Sequence, residues 1–161
     1  MDRESLLSPS LSADDATLAP PSAQSMFLTS FFGGPGAAVA IIAVGSYRLR
    51  RLVRDLPLLL LLLIGPLGLI VWLQNGEATA AAREWLSDTL GNSAFTYVNR
   101  ATALVCFAAG YTMHRQAHRH SDLLGLKRPN GWIVGLSCIA IGFSLTFGTF
   151  ALVRALTEVT R

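Results

Sequence analysis

The sequence predicts an all-α, polytopic membrane protein built as a bundle of four transmembrane helices. Charged residues make up only 14% of the chain and hydrophobic residues 52%, whereas a soluble domain usually carries about a quarter charged residues. Long uncharged runs recur along the 161 residues, and most of the arginines gather in short segments beside them. Such basic clusters are typical of the loops that orient a membrane protein, so the basic balance of the chain does not indicate nucleic-acid binding.

The first predicted span covers residues 26–47, inside an uncharged run that ends at Arg48. About 20 helical residues cover the ~30 Å hydrocarbon core. Residues 31–36 read Phe-Phe-Gly-Gly-Pro-Gly, and proline and glycine both weaken a helix. Either the helix kinks here, or it begins near Pro35. The cluster is interpreted as a packing and kink site, with a pore or substrate lining as the alternative.

The second predicted span covers residues 56–73, directly after four arginines at 48, 50, 51 and 54. Pro57 fits the first turn of a helix, where its missing N–H costs little. Pro66 lies mid-span and is expected to kink the helix, with neighbouring helices satisfying the freed carbonyl group. Trp72 is expected at the opposite interface.

The segment 74–93 is too polar to span, and its helical spacing predicts a short amphipathic helix. Its net charge of −2 favours a non-cytoplasmic loop that covers the bundle, with an acidic docking site as the alternative. The third predicted span, residues 94–113, contains Arg100. That arginine is interpreted as an interfacial anchor within reach of the headgroups, with a functional charge as the alternative.

The fourth predicted span covers residues 131–153 and carries a stripe of small side chains: Gly131, Gly135, Cys138 and Gly142. On the first span, Gly33, Ala37 and Ala40 leave a similarly bare face. Such faces let helices approach closely, within this chain, in a second copy or in another membrane protein. The resulting membrane domain, 26–155, follows a polar and acidic tail, 1–25, that is predicted to be disordered.

The arginine and lysine count predicts the topology. Segments 46–56 and 114–130 each hold four basic residues, so the positive-inside rule places both in the cytoplasm. Those segments share a side only if the third span exists. The charge pattern therefore predicts four spans with both termini outside the cytoplasm.

Few residues suggest chemistry. His114 and His118 are four apart and could share a metal on one helix face, but a solvated or headgroup-facing basic loop is the favoured interpretation. Cys106 and Cys138 lie in apolar runs and are predicted to be packing residues. No catalytic, cofactor or metal residue is assigned, and no enzymatic motif is present in the sequence. The sequence therefore predicts a protein that is not an enzyme and needs no cofactor.

The Phe31-Phe-Gly-Gly-Pro35 motif, the arginine-rich turn after it and the Gly131-Trp132 opening of the last span resemble small bacterial membrane proteins of unassigned function. That resemblance implies a bacterial inner-membrane location and no activity. The leading hypothesis is a structural or interaction subunit that contacts lipid and other membrane proteins. A subunit of a small channel or transporter is the alternative.

Overall fold

The computed structural model describes residues 19–75, 80–123, 125–126 and 128–159, which form helices and their connections. The five α-helices are α1 (Ala23–Arg48), α2 (Leu52–Asn75), α3 (Ala80–Leu90), α4 (Ala94–Leu123) and α5 (Gly131–Val159), and a 3₁₀ turn at Gly91–Ser93 joins α3 to α4. The all-α prediction is therefore confirmed. Most of the predicted tail, 1–25, lies outside the described residues.

Among the described residues, three stretches are long and apolar enough to cross a membrane: Ala23–Arg48, Leu52–Leu73 and Gly131–Ala155. The chain is thus a candidate multi-pass membrane protein with three candidate spans. The predicted four spans are not confirmed, because the third predicted span is not among these stretches. That span forms the first two thirds of α4, a 30-residue helix whose Arg100 and histidine- and arginine-rich C-terminal part make it less apolar.

The helix α1 is broken at Gly34, whose φ of 74° and ψ of −170° are not helical. Only glycine adopts this region without strain, because it has no Cβ. Pro35 follows at once and fits the first turn of a new helix. The break predicted for this motif is therefore present: one helical segment begins at Ala23, and a second begins at Pro35, the alternative start that the sequence suggested.

The break is a reversal of direction rather than a bend. The rings of Phe27 and Phe107 lie 5.7 Å apart, and Ile42 packs directly over Gly110. Residues 107 and 110 belong to one turn of α4, so residues 27 and 42 contact the same place. In a straight helix those two residues would lie about 22 Å apart.

The two halves of α1, residues 23–33 and residues 35–48, therefore lie side by side as a helical hairpin with its tip at Gly34. At the open end of this hairpin, a Cβ on Gly45 would lie 3.7 Å from Cδ of Pro21. The sequence predicts that residues 26–47 form one span, with the N-terminal tail and Arg48 on opposite sides of the membrane. The hairpin does not match that path, because its two ends lie together. Hydropathy alone does not distinguish a hairpin from a straight span of the same length.

The longer helices surround the hairpin. Ser25 and Thr29 lie beside Gly131 and Gly135, so α5 runs parallel to the first half of the hairpin. The α4 helix runs from the tip, where Asn99 meets Gly34, toward the open end. The α2 helix is antiparallel to α4, since Asp55 approaches His114 near its start and the Leu62 carbonyl meets Cys106 farther along.

The core lies between the hairpin and its neighbours and is formed by Met26, Val39, Ile41, Ile42, Leu59 and Cys138. Much of α2 and α5 faces outward with apolar side chains, among them Leu61 at 66% and Phe147 at 69% exposure, as expected for lipid-facing helices. The α2 helix continues through both Pro57 and Pro66. The predicted amphipathic helix corresponds to α3, which buries no residue and so does not cover the bundle.

A buried histidine pair as the candidate functional site

One end of the bundle, here called the basic end, contains the connection between α1 and α2 together with the last turns of α4. An inward-facing stripe of α4 leads to it: Ala103, Cys106, Gly110, His114, His118 and Ser121 are all buried. These positions recur every three or four residues, which is the spacing of one helix face. Because α4 continues to Leu123, this stripe carries two histidines into the interior.

His114 connects three elements. Its Nε2 lies 3.1 Å from Oγ of Ser46, at the end of the hairpin, and 3.8 Å from Oδ2 of Asp55, in the first turn of α2. The imidazole is only 2% exposed. Gly45 provides the space, since a Cβ there would lie 3.0 Å from the His114 ring.

His118 lies one turn farther along α4 and is 4% exposed. Its ring stacks on Tyr111 at a centroid distance of 5.4 Å. Neither ring nitrogen has a hydrogen-bond partner among the described residues. Leaving a buried polar group unpaired costs about 1–3 kcal/mol, so the two ring nitrogens of His118 lower the stability of the fold as they stand.

Burial lowers the pKa of both imidazoles, because the charged form loses its hydration. At His114 the negative charge and hydrogen-bonding capacity of Asp55 raise the pKa in part, and the positive charge of Arg51 lowers it. At His118 the charges of Arg128 and His114 add to the lowering, and Asp122 opposes it. Both histidines are therefore neutral at neutral pH, and acidification charges them.

The grouping of serine, histidine and aspartate differs from a hydrolytic triad. In a triad the carboxylate holds one ring nitrogen while the serine uses the other. Here Ser46 and Asp55 both approach Nε2 of His114, and Ser46 is fully buried. The arrangement can bind and release a proton, and it can exchange one hydrogen-bond partner for another.

His120 and Asp122 are close to the histidine pair along the chain, but the structure separates them from it. His120 is exposed and its Nδ1 meets the Gln116 carbonyl, while Asp122 is exposed and pairs with Arg128. In the described part of the chain, no three or more His, Cys, Asp or Glu side chains are arranged to hold a metal ion.

The prediction of a solvated loop from residue 114 onward is wrong for His114, His118 and Ser121, which are buried. The reason is that α4 does not end at residue 113. Sequence reasoning also missed Ser46 and Asp55 as partners of His114. The signal for burial was present, because the apolar spacing of residues 103, 106 and 110 continues through 114, 118 and 121.

The opposite, tip end of the hairpin has its own polar contacts. A Cβ on Gly34 would lie 3.0 Å from the amide nitrogen of Asn99. The Arg100 guanidinium lies over the Phe31 ring at 4.9 Å, a cation–π contact, and Arg100 is exposed. Arg100 is therefore placed beside the hairpin tip, where both the anchoring and the functional interpretations apply.

The small-residue stripe on α5 packs inside the chain. Gly131 and Gly135 face Ser25 and Thr29 of the hairpin, and Gly142 faces Ala37. Both cysteines are free and buried.

No family model, curated protein or solved structure matches this chain. The fold and the site together define an α-helical protein in which three helices are long and apolar enough to span a membrane, the first of them folded back on itself, with a buried histidine pair at one end.

Proposed function

We propose that this chain is a multi-pass protein of the bacterial inner membrane and a subunit of a small channel or transporter. The folded-back α1 carries this proposal. Non-helical backbone at membrane depth is tolerated only where protein surrounds it or where it lines a cavity. Broken helices of this kind often form the substrate and ion sites of transporters. A simple membrane anchor has no need for such a break.

Two further features support transport. The sequence allows the glycine and proline cluster to be interpreted as the lining of a pore or substrate site. This cluster forms the hairpin tip, and Asn99 and Arg100 lie beside it. At the other end, the buried His114 and His118 place two ionisable groups between the helices of the bundle, where they can take up and release protons. No enzymatic role and no cofactor are proposed.

The orientation follows from the positive-inside rule. We assign the basic end to the cytoplasm, because it carries the arginines of the α1–α2 connection and those at the end of α4. Pro21 lies beside Gly45, which supports a cytoplasmic position for residues 19–22 as well. The end of α5 would then lie on the opposite side, as predicted for the C-terminus.

A structural or interaction subunit is the second candidate. The outward faces of α2 and α5 favour it, since apolar side chains such as Ile64 and Ile133 are more than half exposed and need a covering of lipid or of another protein. The small-residue stripe of α5 does not support it, because the hairpin already occupies that stripe.

Flux measurements test the leading proposal. The purified protein, reconstituted in liposomes, is expected to conduct protons, K⁺ or Cl⁻ in assays with ion-sensitive dyes. Gly34→Ala should abolish this flux, because alanine at a φ of 74° would strain the hairpin tip against Asn99. Gly91→Ala is the matched control, with a similar φ of 66° but nothing within 4 Å, and it should retain the flux.

Both variants must remain monodisperse in detergent for the comparison to hold. Absence of flux for all three ions, together with a protein that co-purifies in stable proportion, would reject transport in favour of the interaction subunit.

A further inference from the structure

Unpartnered polar atoms are concentrated at the basic end. The buried side-chain nitrogen and oxygen atoms that lack a hydrogen-bond partner, within the described residues, are Nε of Arg48, Oδ2 of Asp55, Nδ1 of His114 and both ring nitrogens of His118. Buried polar groups are paired in the great majority of cases. Several unpaired groups at one place, beside the close contacts of His114, mark this end as a candidate binding site.

We propose that His114 is a proton-binding site that exchanges Ser46 of the hairpin for Asp55 of α2 when it takes up a proton. This deepens the proposed function and rests on it for the link to transport: the hairpin would be the element that the proton releases. The proposal stands on the position of one nitrogen, Nε2 of His114, between a hydroxyl group at 3.1 Å and a carboxylate oxygen at 3.8 Å.

The chemistry of the exchange is that of a neutral ring becoming an imidazolium. A neutral imidazole has one N–H and one acceptor nitrogen, so Nε2 of His114 can accept the Ser46 hydroxyl hydrogen. A proton from the aqueous side makes both ring nitrogens donors, and no covalent bond is broken. Once protonated, Nε2 of His114 can no longer accept the Ser46 hydroxyl hydrogen. The unpartnered Oδ2 of Asp55 becomes the best acceptor for the Nε2–H group, because a charge-assisted hydrogen bond is stronger than a neutral one.

The charges around His114 decide when the proton binds. Asp55 on α2 favours the imidazolium of His114, while Arg51 in the connection opposes it, and a charged His114 in turn opposes the charging of His118 on α4. From the hairpin, Ser46 and Gly45 face the ring and carry no charge. Burial lowers the pKa of His114 further, so the Ser46 bond is kept at neutral pH and the exchange occurs on acidification.

The short connection between the hairpin and α2 lets the exchange of hydrogen-bond partners move both elements. Ser46 lies in the last turn of the hairpin, and only residues 49–51 separate the hairpin from α2. Shortening the 3.8 Å gap between His114 and Asp55 to a hydrogen bond draws the start of α2 toward α4. The same step removes the hydrogen bond that holds Ser46, so the second half of the hairpin loosens on acidification.

Two substitutions with opposite expected effects test the site. In full-length protein labelled with ¹⁵N-histidine in nanodiscs, NMR follows the protonation of His114 between pH 8 and pH 4. Asp55→Asn should shift its midpoint to lower pH, because the imidazolium loses its charge partner. Ser46→Ala should shift the midpoint to higher pH, because the neutral ring loses its hydrogen bond. Asp122→Asn is the control and should leave the His114 midpoint in place.

A second measurement follows the hairpin. Spin labels on Gln24→Cys and Tyr47→Cys, in a chain without the native cysteines, report the distance between the two halves. Acidification should broaden this distance in the parent chain but not in a His114→Gln chain. The proposal is overturned if neither Asp55→Asn nor Ser46→Ala shifts the protonation midpoint of His114. It is also overturned if the distance between the two spin labels responds to pH in the His114→Gln chain as it does in the parent chain. If the His114 midpoint shifts as expected in both variants but the liposomes show no ion flux, transport is rejected and the proton-binding site is retained.

Discussion

At the level of single residues, His114 and His118 show how helix geometry overrides composition. Both belong to a sequence segment crowded with basic residues, yet both are buried, because every third or fourth side chain of α4 faces the interior of the bundle. His120 belongs to the same segment and is exposed. The composition of the segment predicts a solvated loop, and only the continued helical spacing separates the buried histidines from the exposed one.

The burial of these two histidines predicts how stability depends on pH. An unfolded histidine has a pKa of about 6.5, and burial lowers the pKa of His114 and His118 in the fold. Below pH 6.5 the unfolded chain binds more protons than the folded chain, so the free energy of unfolding should fall as the pH falls through the folded pKa values. Each histidine contributes at most about 1.4 kcal/mol per pH unit.

Thermal unfolding in detergent, followed between pH 7.5 and pH 5 by tryptophan fluorescence, measures this dependence. His118→Gln should flatten the curve, since the neutral amide has no proton to gain. The exposed His120→Gln is the control and should keep the parent slope. A parent protein whose stability increases on acidification would contradict the expected sign.

At the level of elements, the contact between α1 and α5 was partly readable from the sequence. The sequence predicts both the stripe on α5 and the bare face at Gly33 and Ala37 as faces for close packing. The structure packs them against each other at Gly142, where a Cβ would lie 2.5 Å from the backbone nitrogen of Ala37. The sequence left the partner open, because a small-residue face permits close approach without specifying which helix approaches.

Gly142→Ala tests this contact. The added methyl group meets backbone rather than a flexible side chain, so α1 and α5 must separate. Overpacking of this kind costs about 1–3 kcal/mol, and a lower unfolding temperature in detergent should show it.

Gly148→Ala, two turns farther along α5 and with nothing within 4 Å of the new Cβ, is the matched control. It should be neutral or stabilising by up to about 1 kcal/mol, because alanine favours helix over glycine. Equal effects of the two substitutions would mean that α1 and α5 are not packed closely at Gly142.

At the level of the whole molecule, the reversal at Gly34 changes the topology that the charge pattern suggested. The two basic segments do lie at one end, as predicted, because His114 and Asp55 meet there. The side on which residues 19–25 lie could not be predicted from the sequence. An uncharged run as long as α1 is apolar enough to be buried in the membrane either as one straight span or as a hairpin. The contacts of Phe27 and Ile42 with the same turn of α4, and of Pro21 with Gly45, distinguish these paths.

Labelling from one side of the membrane tests the hairpin directly. Single cysteines replace Gln24, Arg50 and Asp88, all exposed, in a chain whose native cysteines are alanine. An impermeant thiol reagent is applied to inverted and to right-side-out membrane vesicles.

The hairpin returns the chain to the basic end, so residues 24 and 50 should react from the same side. Residue 88 follows α2 at the other end of the bundle and should react from the opposite side. A straight α1 would extend about 39 Å over its 26 residues and would place residues 24 and 50 on opposite sides, so reaction of residue 24 together with residue 88 would rule out the hairpin.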